Sequence, residues 1–190
     1  MEFVDAAVPA DVRDRVLAAA LDELTRWGLE RFNVAALAAR HGIDESVIQR
    51  YWGSGQRLVL DVLLRWSNEV ITTPDTGSLR TDLTALAAAV ARYVNSPLGR
   101  SLLRAQVLDD RSMYTDDTRT VFWQQRLNVM RVVLDRAVER GELRPGVDIV
   151  GALQILIAPI NVRALYSPGP VDDRYCEIIA DLTWHAIARG

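Results

Sequence analysis

The stretch from Val34 to Ser54, VAALAARHGIDESVIQRYWGS, constrains the fold of this chain more than any other. Val34, Leu37 and Ala38 have the i, i+3, i+4 spacing that puts apolar groups on one face of a short helix. Gly42 ends that helix, because glycine takes a positive φ without a Cβ clash, and the turn brings Ile43 back toward Leu37. Asp44 restarts the helix by accepting from the free N–H groups of the next turn, and Val47, Ile48, Tyr51 and Trp52 supply its buried side. Two short helices across a glycine turn make a helix-turn-helix. Glu45, Ser46, Gln49 and Arg50 are left on the other face with no apolar core to join. When the second helix of such a unit lies in a DNA major groove, side chains of this kind read base edges. A helix-glycine-helix joint is also an ordinary connector in all-α proteins, so the motif takes its meaning from context.

The context is a set of matching pieces. Arg15-Val-Leu-Ala-Ala-Ala looks like a first-helix core, Gly28 and Phe32 like an inter-helix turn, and Val34 to Gly42 like a second helix. Tyr51-Trp52-Gly53-Ser54 followed by Leu58 looks like the end of a recognition helix and the start of a long fourth one. Together, from Arg15 to Leu63, they resemble the N-terminal domain of the TetR family of transcriptional repressors. The resemblance implies an all-α fold of about nine helices. A three-helix helix-turn-helix domain would span residues 1–55 and a helical effector-binding and dimerisation domain residues 56–190. It implies a double-stranded DNA operator as partner, contacted by Asn33, Asp44, Glu45, Ser46, Gln49, Arg50, Tyr51, Ser54 and Gly55. Three positions depart from the family pattern. Gln49 stands where a phosphate-contacting tyrosine is usual and Gly55 where a lysine opens the fourth helix, and both changes weaken the expected grip on the DNA backbone. Trp52 replaces a phenylalanine and reads as a neutral exchange of one apolar plug for another.

Composition narrows the alternatives. The 190 residues, 49% hydrophobic and 25% charged, suit a soluble globular protein with a sizeable core. A formal net charge of -3 excludes a broadly basic nucleic-acid coat, so any DNA contact is local. All 22 basic residues are arginine. From Arg31 to Arg57 four arginines face only Asp44 and Glu45, whereas the N-terminal arm carries Glu2 and Asp5 and is not expected to enter a minor groove. The single cysteine, Cys176, excludes an internal disulfide and reads as a buried side chain on the last helix. With no positive flank and apolar run at the N-terminus, and with Ile149 to Val162 too short for a span of ~20 residues, the expected location is the cytoplasm, with no membrane partner.

Along the chain, Asp11 is expected to cap a first helix carrying Val12, Val16, Ala20, Leu24 and Trp27 on one face. Ser54 caps the fourth helix, which connects the two domains, Ser78 the fifth and Ser96 the sixth. Thr115, Asp116 and Asp117 open a long seventh helix that Gly141 closes. The segments Gly141 to Asp148 and Pro159-Ile-Asn-Val-Arg163 resemble the C-terminal domain of one TetR branch. Ile149 to Val162 carries no charge on any face, and a helix apolar all round must be covered on all sides. A second copy of the chain is the economical cover, which places Leu153, Ile157, Tyr175, Ile178 and Leu182 in a four-helix homodimer seam.

Aromatic and polarizable residues in the middle helices suggest a largely apolar small-molecule pocket built from Trp66, Tyr93, Met113, Phe122, Trp123 and Met130, with Tyr114 nearby. Gln106, Arg126 and Asn128 are its candidate polar anchors, and the bend expected at Pro159 leaves room beside its helix. His41 and His185 are the only histidines and lie far apart, so no metal site, cofactor or catalytic constellation is expected. The resulting reading is a ligand-responsive repressor, homodimeric on a palindromic operator. The alternative, motivated by Gln49, Gly55 and the acidic arm, is a ligand-binding or interaction protein of the same fold with weak or lost DNA affinity.

Overall fold

A computed structural model describes residues 8–107 and 116–189 of the chain. Its helices are α1 (Ala10–Trp27), a 3-10 turn (Leu29–Arg31), α2 (Val34–His41), α3 (Glu45–Trp52) and α4 (Gly55–Val70). They continue as α5 (Leu79–Asn95), α6 (Pro97–Val107), α7 (Asp116–Glu139), α8 (Ile149–Tyr166) and α9 (Asp173–Ile187). The all-α class is as expected, and the only strand-like feature among the described residues is an isolated bridge between Leu143 and Ala188.

Helices α3, α4, α5 and α6 begin on the caps that the sequence suggests, and α2 begins on Asn33, which was expected at DNA instead. The side chains of Asn33, Asp44, Ser54 and Ser78 each accept a backbone N–H from the first turn that follows. The Ser96 hydroxyl accepts from the Gly99 N–H at 3.0 Å. The first helix differs. It starts after Pro9 with no side-chain cap, and Asp11 sits within its first turn, where its charge favours the positive end of the helix dipole instead. Thr115, the expected cap of α7, lies outside the described residues.

Leu24, Leu37, Ile48 and Leu58, all fully buried, close the core of the N-terminal head. The helix-turn-helix joint has the geometry its glycine predicts. Gly42 has φ 60° and ψ 39°, and the Ile43 N–H returns to the Ala38 carbonyl at 2.9 Å. Arg15 on α1 completes that joint by donating to the Gly42 carbonyl at 2.7 Å and the His41 carbonyl at 3.3 Å, which satisfies acceptors left open at the end of α2.

Helix α4 joins head to body. Near its start, Asp61 accepts from the Trp52 indole N–H at 3.1 Å and from Arg13 at 2.8 Å, so one carboxylate ties α1, α3 and α4 together. Trp52 is therefore more than the neutral plug expected: its ring is buried, and its N–H makes a bond that phenylalanine cannot. At its other end Trp66 stacks on Tyr93 of α5, with ring centroids 4.8 Å apart. The corner between α5 and α6 is so tight that a Cβ on Gly99 would stand 1.9 Å from the Tyr93 carbonyl oxygen. In the body, the buried Asp82 accepts from the Thr76 N–H and hydroxyl, both at 2.7 Å, and from Arg140 at 2.9 Å. This network fastens the start of α5 to the end of α7.

Helix α8 departs from the sequence reading in two respects. It extends past the uncharged run to Tyr166, and at 18 residues it is long and apolar enough, by length and composition alone, to cross a membrane. Leu153 and Ile157, expected in a dimer seam, point inward instead, with Leu153 fully buried and Ile157 only 5% exposed. The chain already covers them, so neither is free to meet a second copy.

The Asp61 tie generates a stability prediction. Trp52→Phe keeps an aromatic ring in the core but leaves half of the Asp61 carboxylate without its donor, so it should lower unfolding free energy by about 1–2 kcal/mol. Urea denaturation followed by circular dichroism measures this. Trp52→Phe with parental stability would show that the indole N–H adds nothing to the packing of α3.

Candidate nucleic-acid interface and effector cavity

Helix α3 is two-faced. Ile48 and Trp52 are buried and Val47 and Tyr51 half-buried, while Glu45, Ser46, Gln49 and Arg50 are exposed. Gly53, with φ 70°, ends the helix. Of the other residues expected at DNA, Asn33, Asp44 and Ser54 prove to be helix caps, accepting from Ala36 at 2.9 Å, Ser46 at 2.9 Å and Arg57 at 3.3 Å. Ser46, through its backbone N–H and its hydroxyl, holds the Asp44 carboxyl below its ordinary value. That contribution is present at neutral pH and is lost in acid as the carboxyl protonates. Gly55 is the first residue of α4 and does not have a positive φ, so its backbone accepts a side chain without strain.

Beside this unit, Asp22, Glu23 and His41 bring candidate ligand atoms within 4.8 Å of one another, a cluster across two helices that sequence spacing does not reveal. Arg40 forms a salt bridge to the buried Glu23, and His41 Nε2 lies 3.4 Å from the same carboxylate. Ion pairing of α1 to α2 accounts for the arrangement.

The middle helices enclose a small cavity, about 30 Å³, between α4, α5, α6, α7 and α8. Five residues expected at a pocket do line it: Tyr93, Phe122, Trp123, Arg126 and Met130. Trp66 is not in its wall but supports Tyr93 from behind. The helix spacing of single elements could not show that Ile71, Val90, Val94, Leu103 and Asn161 complete the wall, or that Ile157 belongs there and not in a seam. Asn128, a proposed anchor, is exposed on the outer side of α7. Met113, Tyr114 and the side chain of Gln106 lie outside the described residues. Arg126 is the polar group of consequence. Only 3% exposed, it donates through Nη1 to Asn68 on α4 at 2.9 Å, while Nη2 is buried with no hydrogen-bond partner. Burial depresses its pKa, and nearby Tyr93 partly opposes that shift.

A third feature is an exposed apolar stripe. On α8, Ile155 and Val162 are 51% and 53% exposed, and on α9, Ile178 and Leu182 are 47% and 59% exposed. Tyr175 is half-buried, and its hydroxyl donates to the Pro159 carbonyl at 3.3 Å, so it works chiefly inside the chain. Cys176 is buried on the inner face of α9, and desolvation pushes its thiol up to about 11, which keeps it protonated and unreactive.

Residues 73–183 match the family model of the tetracyclin repressor-like C-terminal domain, more than half of the chain. The chain belongs to the TetR family of transcriptional regulators. It is 32% identical over 139 residues to the HTH-type transcriptional regulator AqdR of Rhodococcus erythropolis, covering 73% of this chain and 67% of that one. It is 31% identical over 173 residues to the DNA-binding transcriptional repressor TetR of Mycobacteroides abscessus, covering 87% and 88%. Among solved structures it resembles the TetR family regulator SCO0332, with a TM-score of 0.74 and 27% identity over 94% of this chain and all of that one. As a TetR family member, the chain is a DNA-binding regulator and not an enzyme.

Membership in a DNA-binding family makes the Gly55 departure testable. The N-terminus of α4 offers backbone N–H groups to a phosphate, and Gly55 adds no side-chain charge to them. Gly55→Lys should strengthen binding alike on specific and nonspecific DNA and steepen the slope of log affinity against log salt by about one unit per subunit, with base preference unchanged. Anisotropy titrations across a salt series read this directly. An unchanged slope would mean that α4 does not approach the DNA backbone.

Proposed function

We propose that this TetR family regulator is a ligand-responsive repressor, with residues 1–55 acting as a DNA-binding head and 56–190 as an effector-binding and dimerising body. It binds a palindromic operator as a homodimer and leaves it when a small, largely apolar effector occupies the cavity between α4 and α8. The observation that carries this reading is that one helix touches both sites. Asp61 on α4 holds Trp52 at the end of the recognition helix, while Asn68 and Ile71, at the far end of α4, meet Arg126 and the cavity wall. Seven residues separate Asp61 from Asn68, ~10 Å along a helix, so a ligand that moves one end of α4 displaces the other. In a dimer the two recognition helices must lie about one DNA turn apart, ~34–36 Å, and a shift of α4 spoils that spacing. The repressor role follows the relative in Mycobacteroides abscessus, which is a transcriptional repressor.

Glu45, Ser46, Gln49 and Arg50 are the base-reading set in this proposal, with Tyr51 and Gly55 at the phosphates. The dimer seam runs along Ile155 and Val162 of α8 and Ile178 and Leu182 of α9, an apolar stripe whose burial offers ~25 cal/mol per Å². The function is tested by anisotropy on DNA from upstream of the protein's own gene. Binding should be tight and salt-dependent, and at least one apolar small molecule that raises the melting temperature should release the DNA. Tight binding that no stabilising compound relieves would reduce the protein to an unregulated DNA binder.

Three substitutions probe the parts. Arg50→Ala should relax specificity at one base position by about 1–3 kcal/mol, measured on a set of single-base operator variants. An unchanged preference removes Arg50 from the reading set. Ile178→Arg and Leu182→Arg should give soluble monomers in light scattering, because each places an unpaired charge in the seam at a cost of several kcal/mol. Dimers that survive both changes would move the seam elsewhere.

A further inference from the structure

We infer that the cavity takes a carboxylate: the effector is a monoanionic acid whose charged group meets Arg126 and whose apolar body passes between α7 and α8. This inference rests on the effector reading above. Arg126 is a nearly fully buried cation with one arm bonded to Asn68 and the other, Nη2, unpartnered. Among the described residues that line the cavity there is no aspartate or glutamate, so the described wall supplies no counter-charge. A buried guanidinium without an anion is costly, and a carboxylate accepts from its fork in the geometry that relieves the cost. A doubly charged phosphate fits less well, since one guanidinium and a wall dominated by aliphatic and aromatic groups cannot balance the second charge.

Size fixes the pose. A space of about 30 Å³ holds the head group of such an acid and not its body. Trp123, Ile157 and Asn161 line this cavity and also a surface groove of about 450 Å³ that Leu127, Gln154 and Ala158 complete. The acid therefore reaches its charge inward past these three side chains and leaves its apolar body in the groove between α7 and α8.

Calorimetric titration of the full chain with two matched pairs tests this: octanoate against octanamide, and phenylacetate against phenylacetamide. At least one acid should bind tenfold or more tighter than its amide, and Arg126→Gln should reduce that preference to less than twofold. The acid-over-amide comparison on the parent chain needs no variant and decides the matter even if Arg126→Gln folds poorly. Neither acid binding, amides binding as well as acids, or a preference that persists in a folded Arg126→Gln each overturns the inference. Parallel DNA anisotropy separates it from the effector reading. An acid that binds through Arg126 without releasing DNA sinks the effector role and keeps the carboxylate site. An amide that binds better than its acid and releases DNA does the reverse.

Discussion

The Asp61 carboxylate is the contact on which the arrangement of the head depends. The apolar faces of α1, α3 and α4 bring these helices together, but apolar packing is non-directional and tolerates sliding. Asp61 adds direction. One oxygen takes the Trp52 indole N–H and the other takes Arg13, which pins the C-terminal end of α3 to a fixed turn of α4. Arg15 does the same for α2 by donating to the carbonyls at its end. The exposed set on α3 thus sits on a rigid base, and its orientation follows α4.

Buried polar groups divide the body into structure and site. Asp82 is fully enclosed and fully satisfied, with Thr76 and Arg140 supplying three hydrogen bonds, so it behaves as a joint with nothing left to bind. Arg126 is nearly as enclosed yet leaves one arm unbonded, beside a cavity whose described wall holds no acid. The same low dielectric that stabilises the first arrangement makes the second expensive, and the imbalance points to a group from outside the chain.

The head was legible in the sequence because its signals are local. Gly42, Asp44, Gly53 and Ser54 act on backbone within a few residues of themselves, and all four stand where turn and cap chemistry puts them. The Trp52 bond to Asp61 was missed for the opposite reason. Nothing in a period of 3.6 residues says which polar group on the next helix an indole N–H will meet. The cavity was half legible: aromatic residues on α5 and α7 flagged it, but Val94, Leu103 and Asn161 look like ordinary helix residues until the helices are assembled. Gly99 gave no signal at all, since the carbonyl it must approach becomes its neighbour only at the tight corner between α5 and α6.

Helix α8 shows how an inference from composition misplaced individual residues. The absence of charge from Ile149 to Val162 says that every face needs cover, but not which cover meets which face. The fold assigns Leu153, Leu156 and Ile160 to the core of the chain, while Ile157 and Asn161 border the cavity. Ile155 and Val162 are left outside. Pro159 lies between these roles: it has no N–H to give the Ile155 carbonyl, and its own carbonyl accepts from Tyr175 on α9. With the proposed seam, the run from Ile149 to Val162 has no side committed to water alone, which accounts for its lack of charge. A charge at an inner position would enter the core or the cavity wall, and one at an outer position would enter the proposed seam, so the same composition serves two different contacts.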